Sequence, residues 1–267
     1  MNGFALYGRY VAVSLRAQAQ YPVATLMLGA GHFAATAIEI LGVFALFDRF
    51  GPVGGWSFGE AALFYALVNI MFSIADLLGR GFDVFGTDFV RTGAFDRVLL
   101  RPRAAALQLA GYEVRLSRLG RLLQGFAVLI LASRLVPIDW DAAAVAIAVW
   151  AVAGGVALFV GILVLQATLA FWTIESLEIA NVFTYGGVQA AQYPLNIYAT
   201  WFRRLLTFGV PLACVAYYPV LAILKRSDPL GAPDWLLPFT PLAGFAFLCV
   251  SFLAWRAGMA RYTSTGS

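Results

Sequence analysis

Two sets of polar side chains recur at helical spacing inside apolar stretches of this 267-residue chain. His32, Thr36 and Glu39 are separated by four and three residues; Tyr65, Asn69, Ser73, Asp76 and Arg80 continue the same rhythm in a second run. Residues three and four apart are neighbours on a helix, so each set lines one face. Ionisable groups in a bilayer are costly and turn toward a bundle interior or an aqueous path. Two chemistries fit. One is a polar lining along a transport route, made by His32, Thr36, Glu39, Tyr65, Asn69 and Ser73. Glu39 is the carboxylate deep in a span, suited to a cationic substrate. The other is glue between helices, including a pair between Asp76 and Arg80.

Other chemistry is excluded by what the chain lacks. His32 is the sole histidine, so neither a His-based triad nor a metal-ligand set can be assembled from histidines. Cys214 and Cys249 lie in apolar runs and read as small buried hydrophobes. The one lysine, Lys225, has no glycine-rich turn before it, so no phosphate-cradling P-loop exists. Glu175 and Glu178, three apart, have no nucleophile beside them and read as interfacial charges. Resident cofactors and metals are not expected, and neither is a nucleic-acid partner.

The elements that must hold these residues follow from composition. Hydrophobic residues make up 61% of the chain and charged ones 12%, with a mean hydropathy of +0.81. A soluble domain is about half apolar and about a quarter charged, so the chain is expected to be an all-α, polytopic membrane protein. Six spans are predicted, at 23–47, 58–78, 119–136, 142–172, 176–193 and 236–256. The fifth is ambiguous, because a more apolar window at 205–224, containing Pro211 and Pro219, competes with 176–193. Residues 1–22 read as an amphipathic interfacial helix, with Arg9 and Arg16 on one side and Phe4, Val11 and Leu15 on the other. They show no secretory cleavage signal, so the first span is expected to be retained. Ala153, Ala157 and Gly161 form a small-residue register in the fourth span.

Twelve of the eighteen basic residues fall before the first span, between Arg80 and Arg121, or after the last span. Positive residues concentrate on the cytoplasmic side, so both termini are expected there. Arg115, Arg118 and Arg121, three apart, suit anionic headgroups. Upstream, Arg91 to Arg103 runs from Gly93 through a short amphipathic stretch to Pro102, a compact element suited to docking on a partner protein.

At these residues the chain resembles the permease subunits of bacterial type-2 ABC exporters. Gly93 to Pro102 is similar to the segment those permeases carry after their second span. Resemblance extends to Leu99-Leu-Arg-Pro102 with Arg118-Leu-Gly-Arg-Leu-Leu-Gln124, to Phe171 through Glu178, to Tyr185-Gly-Gly and Gln192-Tyr-Pro-Leu195, and to the tail from Arg261. It implies a membrane subunit of an ATP-driven exporter in the bacterial inner membrane, moving small, cationic or hydrophobic compounds out of the cytoplasm. Members of this subfamily are associated with multidrug export. Two ATP-binding subunits would carry ATP and magnesium, and a second permease, the same chain or a paralogue, would complete the assembly.

The resemblance also implies that the loop 79–118 is the coupling element, with Arg91, Gly93, Phe95, Asp96, Arg97, Leu100, Arg101 and Pro102 meeting the ATPase. It places the fifth span at 176–193 and a re-entrant outer hairpin at 194–235. The competing reading is a proton-coupled secondary carrier using Glu39, His32 and Asp76. Such carriers show repeated halves, and no internal repeat is visible.

Overall fold

Local sequence starts and stops the helices. Ser57 and Glu60 form a reciprocal capping box that opens one long helix, and Asp141 accepts from the Ala144 amide at 2.7 Å to open another. Gly51, at φ +72, lets the chain leave the helix before them. The structure, a computed structural model, describes residues 3–173 and 177–263. In chain order the α-helices are α1 (Gly3–Ala19), α2 (Pro22–Phe50), α3 (Phe58–Asp83), α4 (Ala94–Leu99), α5 (Ala105–Ala110), α6 (Leu119–Leu135), α7 (Ala142–Leu169), α8 (Leu177–Ala191), α9 (Thr200–Arg204), α10 (Leu212–Val215), α11 (Tyr217–Ile223) and α12 (Leu242–Met259).

Five of them, α2, α3, α6, α7 and α12, are long and apolar enough to cross a membrane. The protein is all-α, without a strand among the described residues. The contested stretch resolves into α8 followed by a broken pair. The segments Thr200–Gly209 and Leu212–Ile223 meet at 72°. Pro211 causes the break: it has no N–H to continue a helix, and Val210 before it is extended.

The bundle is built round α3. Of its apolar stretch 83% is buried inside the chain, against 17% for α2. Of the expected register Gly161 makes a close approach and Ala153 is exposed; the other close approaches on α7 come from the adjacent Gly154 and Gly155. A methyl at Gly154 would stand 2.6 Å from the Pro241 carbonyl, and one at Gly155 would collide with Met71. So Gly154 and Gly161 let α12 in, and Gly155 admits α3.

The two ends of the bundle differ. At the hairpin end, residues 194–235 are tied to the short turns between helices. Trp56 Nε1 donates to Asn196 at 2.8 Å, Arg226 pairs with Glu60 at 3.2 Å and lies over the Trp56 ring, and Lys225 pairs with Asp139 at 3.2 Å. At the other end the chain between α3 and α6 folds into a small arginine-rich module, described next.

Candidate functional site

The polar faces of α2 and α3 meet midway along the bundle. Tyr65 Oη donates to the Thr36 carbonyl at 2.7 Å and to Glu39 Oε2 at 3.2 Å. Asn69 donates to the Tyr65 carbonyl at 2.8 Å. The third side comes from α6, which the sequence reading did not include. Arg121 Nε donates to Asn69 Oδ1 at 2.7 Å, with its guanidinium 4.8 Å from the Phe72 ring, and Gln124 donates to the Thr36 carbonyl at 3.3 Å.

The expected path residues therefore separate by exposure. Glu39 is exposed and His32 half-buried on α2, while Thr36, Tyr65, Asn69 and Ser73 lie within the bundle. The Ser73 hydroxyl has no hydrogen-bond partner among the described residues. Insertion of a carboxylate at mid-bilayer costs about 2.5–3.5 kcal/mol on insertion scales, so the position of Glu39 needs a compensating neighbour. Tyr65 supplies one hydrogen bond.

Below this layer runs a chain of charge pairs. Asp76 was expected to pair with Arg80, and that contact is 3.9 Å. Its closer partner is Arg118, at 2.9 Å. Arg80 turns instead to Asp83, and Asp83 accepts from Gln166 at 3.3 Å, whose own oxygen accepts from Thr184 at 2.8 Å. One polar thread thus joins the entry to α6 with α3, α7 and α8. The three arginines expected on one helix have three different fates. Arg115 is in extended backbone and pairs with Glu113, Arg118 closes on Asp76, and Arg121 points into the bundle.

The arginine-rich module is the second half of the site. After α3 the chain widens into a π-helical turn at Phe85–Val90, and Gly93 at φ +68 turns it into α4. Phe95 is fully buried among Phe85, Phe171, Trp255 and Tyr262, with ring centroids 4.9–6.2 Å away. Tyr262 Oη donates to Asp96 at 3.0 Å, which brings the end of the chain onto α4. Burial and that hydrogen bond to Asp96 push the Tyr262 phenol up to about 12.

Of the eight residues expected to meet a partner, Phe95 is core, Gly93 is the turn and Asp96 faces Tyr262. Arg91, Arg97, Leu100, Arg101 and Pro102 are exposed, Leu100 at 84%. α1 braces the far side of the module: Ser14 donates to the Val114 carbonyl at 3.0 Å, Gln18 accepts from the Leu116 amide at 2.7 Å, and Tyr10 packs on Gly111. Its anchoring face thus includes Ser14 and Gln18. Glu175 and the side chain of Glu178 lie outside the described residues, as does the tail from Ser264.

A helical bundle with helices of membrane-crossing length, a polar layer between α2, α3 and α6 and a basic helical module at one end defines a multi-pass membrane protein. Residues 33–266 match the family described as ABC-2 family transporter protein. The chain belongs to that family, as a membrane-embedded permease subunit of ABC exporters. No curated protein and no solved structure gives a significant match.

Proposed function

We propose that this chain is the permease of an ATP-driven exporter whose hydrolysis takes place on separate partner subunits, two copies to an assembly of two permeases. The arginine-rich end is cytoplasmic, with both termini, and the hairpin end faces outward in a bacterial inner membrane. Lys225 and Arg226, which the sequence left unplaced, pair with acidic groups at the hairpin end. The basic surplus at the opposite end survives their inclusion. In this reading α8 is the fifth span and the bent pair from Thr200 to Ile223 is the re-entrant cap. Non-helical backbone at that depth is tolerated when protein covers it.

One observation carries the coupling: the module shows Arg91, Arg97, Leu100, Arg101 and Pro102 outward, while its back is joined to the bundle. An apolar knob ringed by arginines fits an acidic, socketed surface on the ATPase. A push on α4 passes through Phe95 to the ends of α7 and α12, and Arg118 carries it to Asp76 on α3. From there the Asp83–Gln166–Thr184 thread reaches α8. Substrate enters a path bordered by His32 and Glu39, with Thr36, Tyr65, Asn69 and Ser73 behind them. The exposed carboxylate favours a cationic compound with apolar bulk. ATP and magnesium bind the partner, and this chain converts its movement into two states that hold the substrate differently.

A proton-coupled carrier is less well supported, because Asp76 is engaged by Arg118 and is not poised as a relay. The deciding experiment purifies the chain from its native membrane and assays ATP hydrolysis, for wild type and Arg97→Glu plus Arg101→Glu. An ATPase that accompanies the wild type and is lost from the variant supports the proposal. Absence of ATPase from both overturns it.

A further inference from the structure

The exposed knob of the module is gripped from behind by a buried amide. Residues 99–104 are all exposed, between Val98, buried near the end of α4, and Ala105, buried at the start of α5. Backbone bonds hold the first half of this loop to α4. The Leu100 amide donates to the Asp96 carbonyl at 3.1 Å, and the Arg101 amide to the Val98 carbonyl at 3.3 Å. Pro102 has no N–H to add. A side chain of α5 closes the other side. Gln108, 6% exposed, donates from Nε2 to the Val98 carbonyl at 3.1 Å and to the Arg103 carbonyl at 3.2 Å. One amide group thus holds both ends of the loop.

Two features set this glutamine apart from ordinary loop support. Its Oε1 is buried and meets no hydrogen-bond partner among the described residues. A buried acceptor left unpaired costs stability. Turning the amide over would aim that oxygen at two carbonyls, so the loop dictates the orientation. A leucine here would remove the unpaired oxygen and orphan neither acceptor: the Val98 carbonyl keeps the Arg101 amide, and Arg103 is exposed to water. Stability alone therefore does not call for glutamine. The second feature is what α5 rests on. Leu109, the next residue, is fully buried, and a methyl on Gly81 of α3 would run into its carbonyl. Backbone meets backbone there, with no flexible side chain to absorb a shift. Gly81 lies between Arg80 and Asp83, at the head of the charge pairs on α3.

We propose that Gln108 is a positioning residue for coupling. It ties the Leu99–Pro102 knob to α5, and α5 passes the displacement of the knob to α3 at the Leu109–Gly81 contact. This rests on the permease reading and adds a route that bypasses Phe95, whose aromatic neighbours Phe171 and Trp255 lead to α7 and α12. Without the Gln108 amide the knob keeps its arginines and still docks, but it swings on α4 and its motion is dissipated before it reaches α3. Residues that touch neither ligand can set the coupling between two sites in this way.

The test uses the complex purified from native membranes, with Leu78→Cys as reporter in a Cys214→Ala, Cys249→Ala background. Leu78 is exposed near the module end of α3. Its replacement is reacted with a charged maleimide, first without nucleotide and then after trapping with ATP and vanadate. With Gln108 in place the rate is expected to change about 5-fold or more, the lower end of typical coupling. With Gln108→Leu the two rates are expected to coincide, while the ATPase still co-purifies and the unfolding midpoint stays within a few degrees of the parent. Gln108→Asn, a methylene too short to hold both carbonyls, is expected to behave in the same way. A leucine variant that keeps the nucleotide-dependent change overturns the proposal. So does one that loses the ATPase or melts far below the parent, because Gln108 then serves docking or folding. A parent complex whose reporter ignores nucleotide overturns it too, and these three outcomes leave the permease reading standing. Absence of ATPase from the parent preparation sinks that reading and this proposal together.

Discussion

Arg118, at the last step of the module before α6, holds its Nε 2.9 Å from Asp76 Oδ2 on α3. The two strands of chain that enter and leave the module are thereby pinned together at the bundle face. Both side chains are largely buried, at 17% and 5% exposure. Removal of one partner strands a charge and is expected to cost about 3–5 kcal/mol, whereas an apolar pair of similar volume costs far less. Asp76→Asn and Arg118→Gln should each lower the unfolding midpoint in detergent more than Asp76→Leu with Arg118→Met does. The double variant should nevertheless hydrolyse ATP in complex without exporting substrate. A double variant as unstable as the sum of the singles would show that the pair is not an independent link.

Phe95 and the arginines beside it should separate stability from docking. Phe95→Ala opens a cavity among four aromatic rings and is expected to destabilise by about 3 kcal/mol or more. Arg97→Glu with Arg101→Glu changes only exposed side chains and should leave the melting temperature within a degree or two, consistent with surface changes of about 0.5 kcal/mol. Yet it should release the ATPase. Thermal denaturation and co-purification on the same samples read both effects.

Glu39→Gln should depress export of a cationic dye by roughly 10- to 100-fold, as expected from loss of a charge-assisted contact of about 1.5–3 kcal/mol. Efflux of an uncharged dye of the same size should change much less. Tyr65→Phe should have a smaller effect in the same direction, because it removes one hydrogen bond to the carboxylate and spares the charge. Equal losses for both dyes would mean that Glu39 supports structure rather than recognition.

Tyr262 sets an alkaline limit. Its phenol, ordinarily near 10, is pushed up to about 12 by burial and by the bond it donates to Asp96. The folded state therefore favours the neutral phenol. The contribution is complete below pH 10 and is lost as pH rises from 10 through about 12. Tyr262→Phe should be less stable at neutral pH and should lack that part of the alkaline decline. A pH series of unfolding midpoints for both chains checks the sign, and identical declines would show that other groups set the limit.

The helices were legible because their signals are local. A capping serine with glutamate three residues on, a proline in an apolar window and long uncharged runs act within a few residues of themselves. Arg121 was misjudged for the opposite reason. It follows Arg115 and Arg118 at a spacing of three, and only the antiparallel packing of α6 on α3 brings it to Asn69 and Phe72. The bond from Tyr262 to Asp96 spans 166 residues and has no local trace. Neither does the support that Ser14 and Gln18 give to residues 114–116.

Composition by itself determined that this is a helical membrane protein, since 12% charged residues cannot solvate a surface of this size. Spacing placed Glu39, Tyr65 and Asn69 on helical faces, and the order of motifs pointed to the family. Tertiary structure alone decided which of those faces meet, which arginine closes on Asp76, and which residues of the module remain outside. Those outcomes depend on contacts between residues dozens of positions apart. Their energies arise only once packing has fixed the distances between helices.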